Sequence, residues 1–187
     1  MRNKASTTLT LVLLSFTLVL STTLVSSQSS SPSSSNGGDD LIDQICKKTP
    51  FYDLCSTILH SNPLTPKSDP KGMALIMVKN IEDNATDTLN YIQDLLKKTP
   101  DQQLEQQLAF CAESYIPVVK YILPQAYDAL NQGKFGFASY CISDAEKELD
   151  ACNKKFDGNQ SPLGDRNGIM QKLVDVASAI VKLLLNG

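Results

Sequence analysis

From Leu41 onward apolar side chains recur at intervals of three and four, and no stretch alternates apolar with β-branched polar residues over the length of a strand. That periodicity calls for helices that each bury one stripe. The clearest runs from Asp69 to Lys98, where Ala74, Met77, Val78, Ile81, Ala85, Thr88, Ile92 and Leu95 share a face. Ser68 or Asp69 can cap it, Pro70 suits its first turn, and Thr99-Pro100 ends it. A second helix is predicted from Asp101 to Asn131 on Leu104, Leu108, Cys111, Tyr115, Val118, Ile122, Ala126 and Leu130, with kinks at Pro117 and Pro124. Gly133 closes it as a left-handed cap. A third spans about Phe135 to Phe156 on Ala138, Ile142, Ala145, Leu149 and Cys152. Beyond the Asp157-Gly158-Asn159 turn and Ser161-Pro162-Leu163-Gly164, a fourth carries Ile169, Met170, Leu173, Val176, Ala177, Ile180, Val181 and Leu184. Four such helices on short connections predict an all-α, antiparallel up-and-down four-helix bundle. Ahead of it, Leu41–Cys46 and Phe51–Cys55, broken by Thr49-Pro50, read as a separate helical hairpin within Leu41 to His60.

The first residues stand outside this scheme. Arg2 and Lys4, an apolar run from Leu9 to Leu20 and the small residues Ser26-Ser27 have the form of a secretory signal peptide over residues 1–27. The apolar run is shorter than the roughly 20 residues of a spanning helix, so no membrane association is expected once it is removed. Residues 28–40 hold no apolar side chain beyond Pro32 and read as a disordered Ser-rich lead-in, leaving residues 41–187 as the folded domain. Loss of Arg2 and Lys4 takes the formal charge from −3 to −5. An acidic chain with no Trp and 6% aromatics does not suit nucleic acid. One histidine cannot build a multi-histidine metal site, and neither metal nor cofactor is expected.

Export to an oxidising compartment makes the five cysteines a disulfide question. Two bridges and one free thiol can be arranged in fifteen ways. Cys46 and Cys55 lie nine apart across the hairpin break, where a bridge would staple the two short helices. Cys111 lies 22 residues before Gly133 and Cys152 lies 19 after it, so an antiparallel crossing brings their inward stripes together. Cys141, only eight beyond the turn, falls opposite about Gln125. The predicted set is Cys46–Cys55 and Cys111–Cys152 with Cys141 free, each closure contributing roughly 3–4 kcal/mol in the chain-entropy model.

No catalytic residues are expected. A nucleophilic Cys141 would need an activator, and the only histidine, His60, ends a hairpin helix. Glu82-Asp83 and Asp144 with Glu146 resemble acid–base pairs of glycosidases, but they fall on solvated helix faces. Asn84-Ala85-Thr86 is a glycosylation sequon with Asn84 at the edge of a helix face, and Asn159-Gln160-Ser161 is a second, weakened by Pro162. The turn Gln132-Gly133-Lys134-Phe135-Gly136-Phe137 presents one lysine among two phenylalanines, either as a recognition tip or as a cover over the end of the core.

The chain resembles the plant invertase and pectin methylesterase inhibitors over about Leu41 to Leu185. The resemblance lies in Ile45-Cys46-Lys47-Lys48-Thr49-Pro50 with Tyr52 and Leu54-Cys55, Ala74-Leu75-Ile76-Met77-Val78, Cys111 ahead of Tyr115, and the Gly133 turn. Cys152 followed by Phe156, Ser161-Pro162, Ala179-Ile180-Val181 and Leu183-Leu184-Leu185 complete it. It implies a bundle with a protruding N-terminal hairpin, the two bridges above, and inhibition through a one-to-one complex with a secreted carbohydrate enzyme. Acid invertase (beta-fructofuranosidase) is the preferred partner, with pectin methylesterase or a non-inhibitory secreted bundle as alternatives. The implied contacts are Lys134, Phe135 and Phe137, and the implied location is the apoplast and cell wall, or the vacuole. Invertase inhibitors would place Pro-Lys-Phe at this turn. Counted back from Cys152, those positions hold Phe135-Gly136-Phe137, so Phe137 matches and Lys134 stands two residues early.

Overall fold

The computed structural model describes residues 37–65, 69–156 and 161–187; the leader, most of the lead-in, Ser68, the 157–159 turn and Asn159 lie outside them. Seven α-helices follow in order: α1 Gly37–Cys46, α2 Tyr52–Ser61, α3 Pro70–Leu96, α4 Gln102–Pro117, α5 Leu123–Asn131, α6 Phe135–Lys155 and α7 Gly164–Asn186. A π-helical turn, Val118–Ile122, joins α4 to α5. Helix α3 packs on α7 and on α4–α5, and α6 packs on α4–α5 and on α7, which closes a four-cornered up-and-down bundle.

Local chemistry sets the helix starts. The Asp69 carboxylate accepts from Gly72 N at 2.7 Å, and Asp101 accepts from Gln103 N at 2.8 Å and Leu104 N at 3.2 Å. Each cap satisfies otherwise orphaned donors and is worth about 1 kcal/mol. Between α5 and α6, Gly133 adopts φ 72°, Lys134 N–H reaches Ala129 O at 2.8 Å and Gly133 N–H reaches Leu130 O at 3.0 Å. This is a Schellman turn, and its left-handed residue is where glycine costs least.

The expected second helix is helical without a break from Gln102 to Asn131, with a π turn lodged between its two prolines. Leu123 N–H bonds to Val118 O, five residues back. The extra residue rotates all that follows by about 100° relative to an uninterrupted α-helix. Leu123 therefore takes the fully buried position and the expected Ile122 is only half-buried. A similar correction holds in α7, where Ile169 is 48% exposed and Asn167 and Met170 point inward.

The hairpin starts earlier than expected, at Gly37 in place of Leu41, and it is not a separate unit. The described residues form one unit, and Ile42, Ile45 and Leu59 are buried in the same core as the bundle. Helix α2 rests on α3 and α7. The reason is size: two ten-residue helices cannot bury both apolar faces against each other alone. Cys46 and Cys55 are bridged with Cα atoms 5.5 Å apart. Beside them Tyr52 Oη donates to Asp43 Oδ1 at 2.6 Å and Lys47 Nζ donates to Asp43 Oδ2 at 2.8 Å. His60 Nδ1, near the end of α2, stands 3.5 Å from Asp39 Oδ1 at the start of α1.

Within the bundle, Cys111 of α4 is bridged to Cys152 of α6, Cα atoms 4.7 Å apart. Next to the bridge, the fully buried Tyr115 donates its hydroxyl to Asn167 Oδ1 at 2.6 Å, and Asn167 Nδ2 donates to Asn153 Oδ1 at 2.6 Å. Thr88 of α3 stands against the same hydroxyl. Burial pushes the Tyr115 pKa well above the ordinary tyrosine value, so the hydroxyl remains a donor. Tyr115→Phe should leave a buried Asn167 acceptor unpaired and cost about 1–3 kcal/mol, read as a lower midpoint in urea at unchanged slope. In the hairpin, the bonds from Lys47 and Tyr52 lower the Asp43 pKa below 3.8. Its contribution is present above that ordinary value and lost as pH falls through the lowered one. Asp43→Asn should therefore lower the thermal midpoint slightly near neutrality and have no effect in strong acid, measured by circular dichroism at both.

Candidate functional site

The turn between α5 and α6 exposes Lys134 and Phe137 to solvent. Two antiparallel helices hold it from below, and the Schellman hydrogen bonds fix its backbone. Lys134 precedes α6 and its carbonyl accepts from Phe137 N at 3.1 Å and Ala138 N at 3.0 Å. Its side chain is exposed, and among the described residues no carboxylate comes within ion-pair distance of it.

The two phenylalanines of the turn part company. Phe135 is half-buried and packs on the core, where it covers the end of the bundle. Phe137 is 48% exposed. Two positions apart at the start of a helix, the side chains point about 200° from each other, so one can seal the core only if the other faces water. Of the three expected contact residues, Lys134 and Phe137 share one small groove of about 190 Å³ with Gln125, Asp128, Ala129 and Gln132, and Phe135 does not line it.

Sequence reading missed Tyr140. It lies one turn beyond Phe137, is 61% exposed, and stacks on Phe137 with ring centroids 6.2 Å apart and planes 11° from parallel. The signal was present as the three-residue spacing from Phe137 along a helix whose inward stripe is Ala138, Ile142 and Ala145.

The other candidates are placed in ways that account for them structurally. Cys141 is free and buried on α6, with its thiol pKa raised by burial and then by Asp144. His60 lies on α2, 3.5 Å from Asp39. Glu82 and Asp83 both meet Lys79 at 2.9 Å, Asp144 lies 3.9 Å from Lys147, and Glu146 accepts from Gln171 at 3.2 Å. Asn84 is half-buried and its Nδ2 donates to Asn80 O at 2.8 Å, while the Thr86 hydroxyl bonds back to Glu82 O. Among the described residues no group of three or more His, Cys, Asp or Glu could hold a metal ion, and no helix is long and apolar enough to cross a membrane.

Comparison with known proteins gives the family and the fold. The chain is 36% identical over 140 residues to "Cell wall / vacuolar inhibitor of fructosidase 1" of Arabidopsis thaliana, a match covering 75% of this chain and 67% of that one. It is 33% identical over 117 residues to "Cell wall / vacuolar inhibitor of fructosidase 2" of the same plant, covering 62% and 64%. The fold matches a crystal structure of mutant form A of a pectin methylesterase inhibitor from Arabidopsis at TM-score 0.67, and one of a pectin methylesterase inhibitor from Arabidopsis thaliana at TM-score 0.59, each 19% identical and covering 76% of this chain and 95% of that one. Residues 40–180 match the family model described as plant invertase/pectin methylesterase inhibitor, and the chain belongs to that family.

Proposed function

We propose that this chain is a protein inhibitor of acid invertase, a beta-fructofuranosidase, acting by a one-to-one complex in which the α5–α6 turn enters the enzyme's cleft. The observation that carries this reading is the 36% identity to a relative named as an inhibitor of fructosidase. The likeness to pectin methylesterase inhibitor structures is at 19% identity and speaks for the fold alone. The family description names both targets, so pectin methylesterase is the second reading.

The site's chemistry supports an inhibitor over an enzyme. Glycosidase clefts carry paired carboxylates. An exposed lysine on a rigid turn is complementary to such a cleft, and a charge-assisted hydrogen bond there would be desolvated and strong. The leader-like residues 1–27 and the cell wall and vacuolar names of both relatives support a secretory route. The apoplast is the preferred destination.

The test mixes the purified mature chain with acid invertase and, separately, with pectin methylesterase. Equimolar protein should abolish invertase activity and leave the esterase unaffected. Lys134→Ala should raise the inhibition constant about tenfold or more while the thermal midpoint stays unchanged. Loss of esterase activity alone would transfer the protein to the second reading, and no loss of either activity would leave a non-inhibitory bundle.

A further inference from the structure

The Phe137–Tyr140 pair is not explained by the bundle. Both rings keep about half or more of their surface in water; other large apolar side chains such as Tyr121 and Leu185 are also exposed, but these two rings lie together beside the α5–α6 turn. Two exposed rings lose solvent-ordering penalties only when something covers them, and aromatic side chains with two rotatable bonds are inexpensive to immobilise. Among the described residues these are the two rings that stack on each other. They sit on the first two turns of α6, held by the Gly133 turn at one end and by Cys152 at the other.

The charges around the pair define what fits it. Lys134 lies three residues ahead of Phe137 on the groove they share, which Asp128 also lines. Lys147 Nζ lies 5.9 Å from the centre of the Tyr140 ring and 3.9 Å from Asp144. The surface thus holds an ammonium with no ion pair among the described residues, two near-parallel rings, and a cation already balanced by its neighbour. A complementary surface has carboxylates at one end and flat, ring-accepting walls next to them. A sugar-binding cleft has that combination, since sugar rings present apolar faces to its walls and carboxylates do the chemistry.

We infer that Tyr140 is an anchor of the target-binding surface, and that the stacked Phe137–Tyr140 rings occupy sugar-ring positions in the cleft of the inhibited carbohydrate enzyme while Phe135 remains part of the bundle. The inference rests on the inhibitor reading above and names the side chains that carry its affinity. Inhibition is then competitive with sugar substrate, because ring and sugar claim the same space.

The experiment measures inhibition constants of wild-type protein and of Tyr140→Ala, Tyr140→Phe, Phe135→Leu and Tyr121→Ala against the enzyme that the wild type inhibits, with circular dichroism and thermal midpoints for each. Tyr140→Ala should weaken inhibition at least tenfold at an unchanged midpoint, and Tyr140→Phe should stay within about threefold of wild type, since the ring face is the contact. Phe135→Leu should lower the midpoint and leave the inhibition constant of the folded protein near wild type. Tyr121→Ala, whose ring is 60% exposed on the π turn away from the tip, should change neither. Raising the substrate concentration should weaken wild-type inhibition in proportion. A folded Tyr140→Ala protein that inhibits like wild type overturns this inference and leaves the inhibitor reading standing. A wild-type protein that inhibits neither enzyme overturns both.

Discussion

The bundle depends on one level of its core, where Cys111 is bridged to Cys152 and Tyr115 is hydrogen-bonded to Asn167. The bridge joins α4 to α6, the phenol–amide bond joins α4 to α7, and Asn153 and Thr88 bring in the remaining contacts from α6 and α3. Hydrophobic burial is indifferent to small slides of one helix along another; a buried polar network is not, because a slide leaves donors and acceptors unpaired at a cost of about 1–3 kcal/mol each. The covalent link contributes about 4 kcal/mol by closing a 41-residue separation in the unfolded chain. Together they set the vertical register of all four long segments.

That register matters at the other end of the molecule. Phe137 lies fifteen residues before Cys152 on the same helix, roughly 22 Å along its axis. Helix α6 therefore transmits the register of the clamp to the tip. The Schellman turn adds the last constraint, since it fixes how the chain leaves α5 and hence which of Phe135 and Phe137 meets the core. Recognition residues carried in this way need little ordering on contact, which is the physical advantage of a rigid helical turn over a flexible loop. The N-terminal hairpin is joined to the same unit through Ile42, Ile45 and Leu59, with its own bridge as a local staple.

Much of this was legible in the chain. The stripes of α3 and α6 lie buried as the three-and-four spacing requires, Asp69 and Asp101 cap as their positions suggest, and Gly133 takes the positive φ that a chain reversal there needs. The cysteine partners were readable because both pairs sit symmetrically about a break in helical pattern. Where reading failed, the cause was a change of phase. One extra residue in the π turn put Leu123 where Ile122 was expected, and Asn167 was overlooked in α7 because a buried amide has no apolar signature. Tyr140 was overlooked although it lies off the inward stripe of Ala138, Ile142 and Ala145, because spacing alone does not show that its ring meets that of Phe137.

The amino-acid order by itself determined the helical class, the number and span of the long helices, the two bridges by spacing, and a lysine and two phenylalanines gathered at one turn, because periodicity, caps and covalent reach are local properties. Only the tertiary structure decided which ring of the turn serves the core and which serves the surface, and that Tyr140 stacks beside Phe137. Those outcomes depend on the angle at which α5 and α6 meet and on the register set by the Cys111–Cys152 level, and neither is encoded within the reach of a few residues.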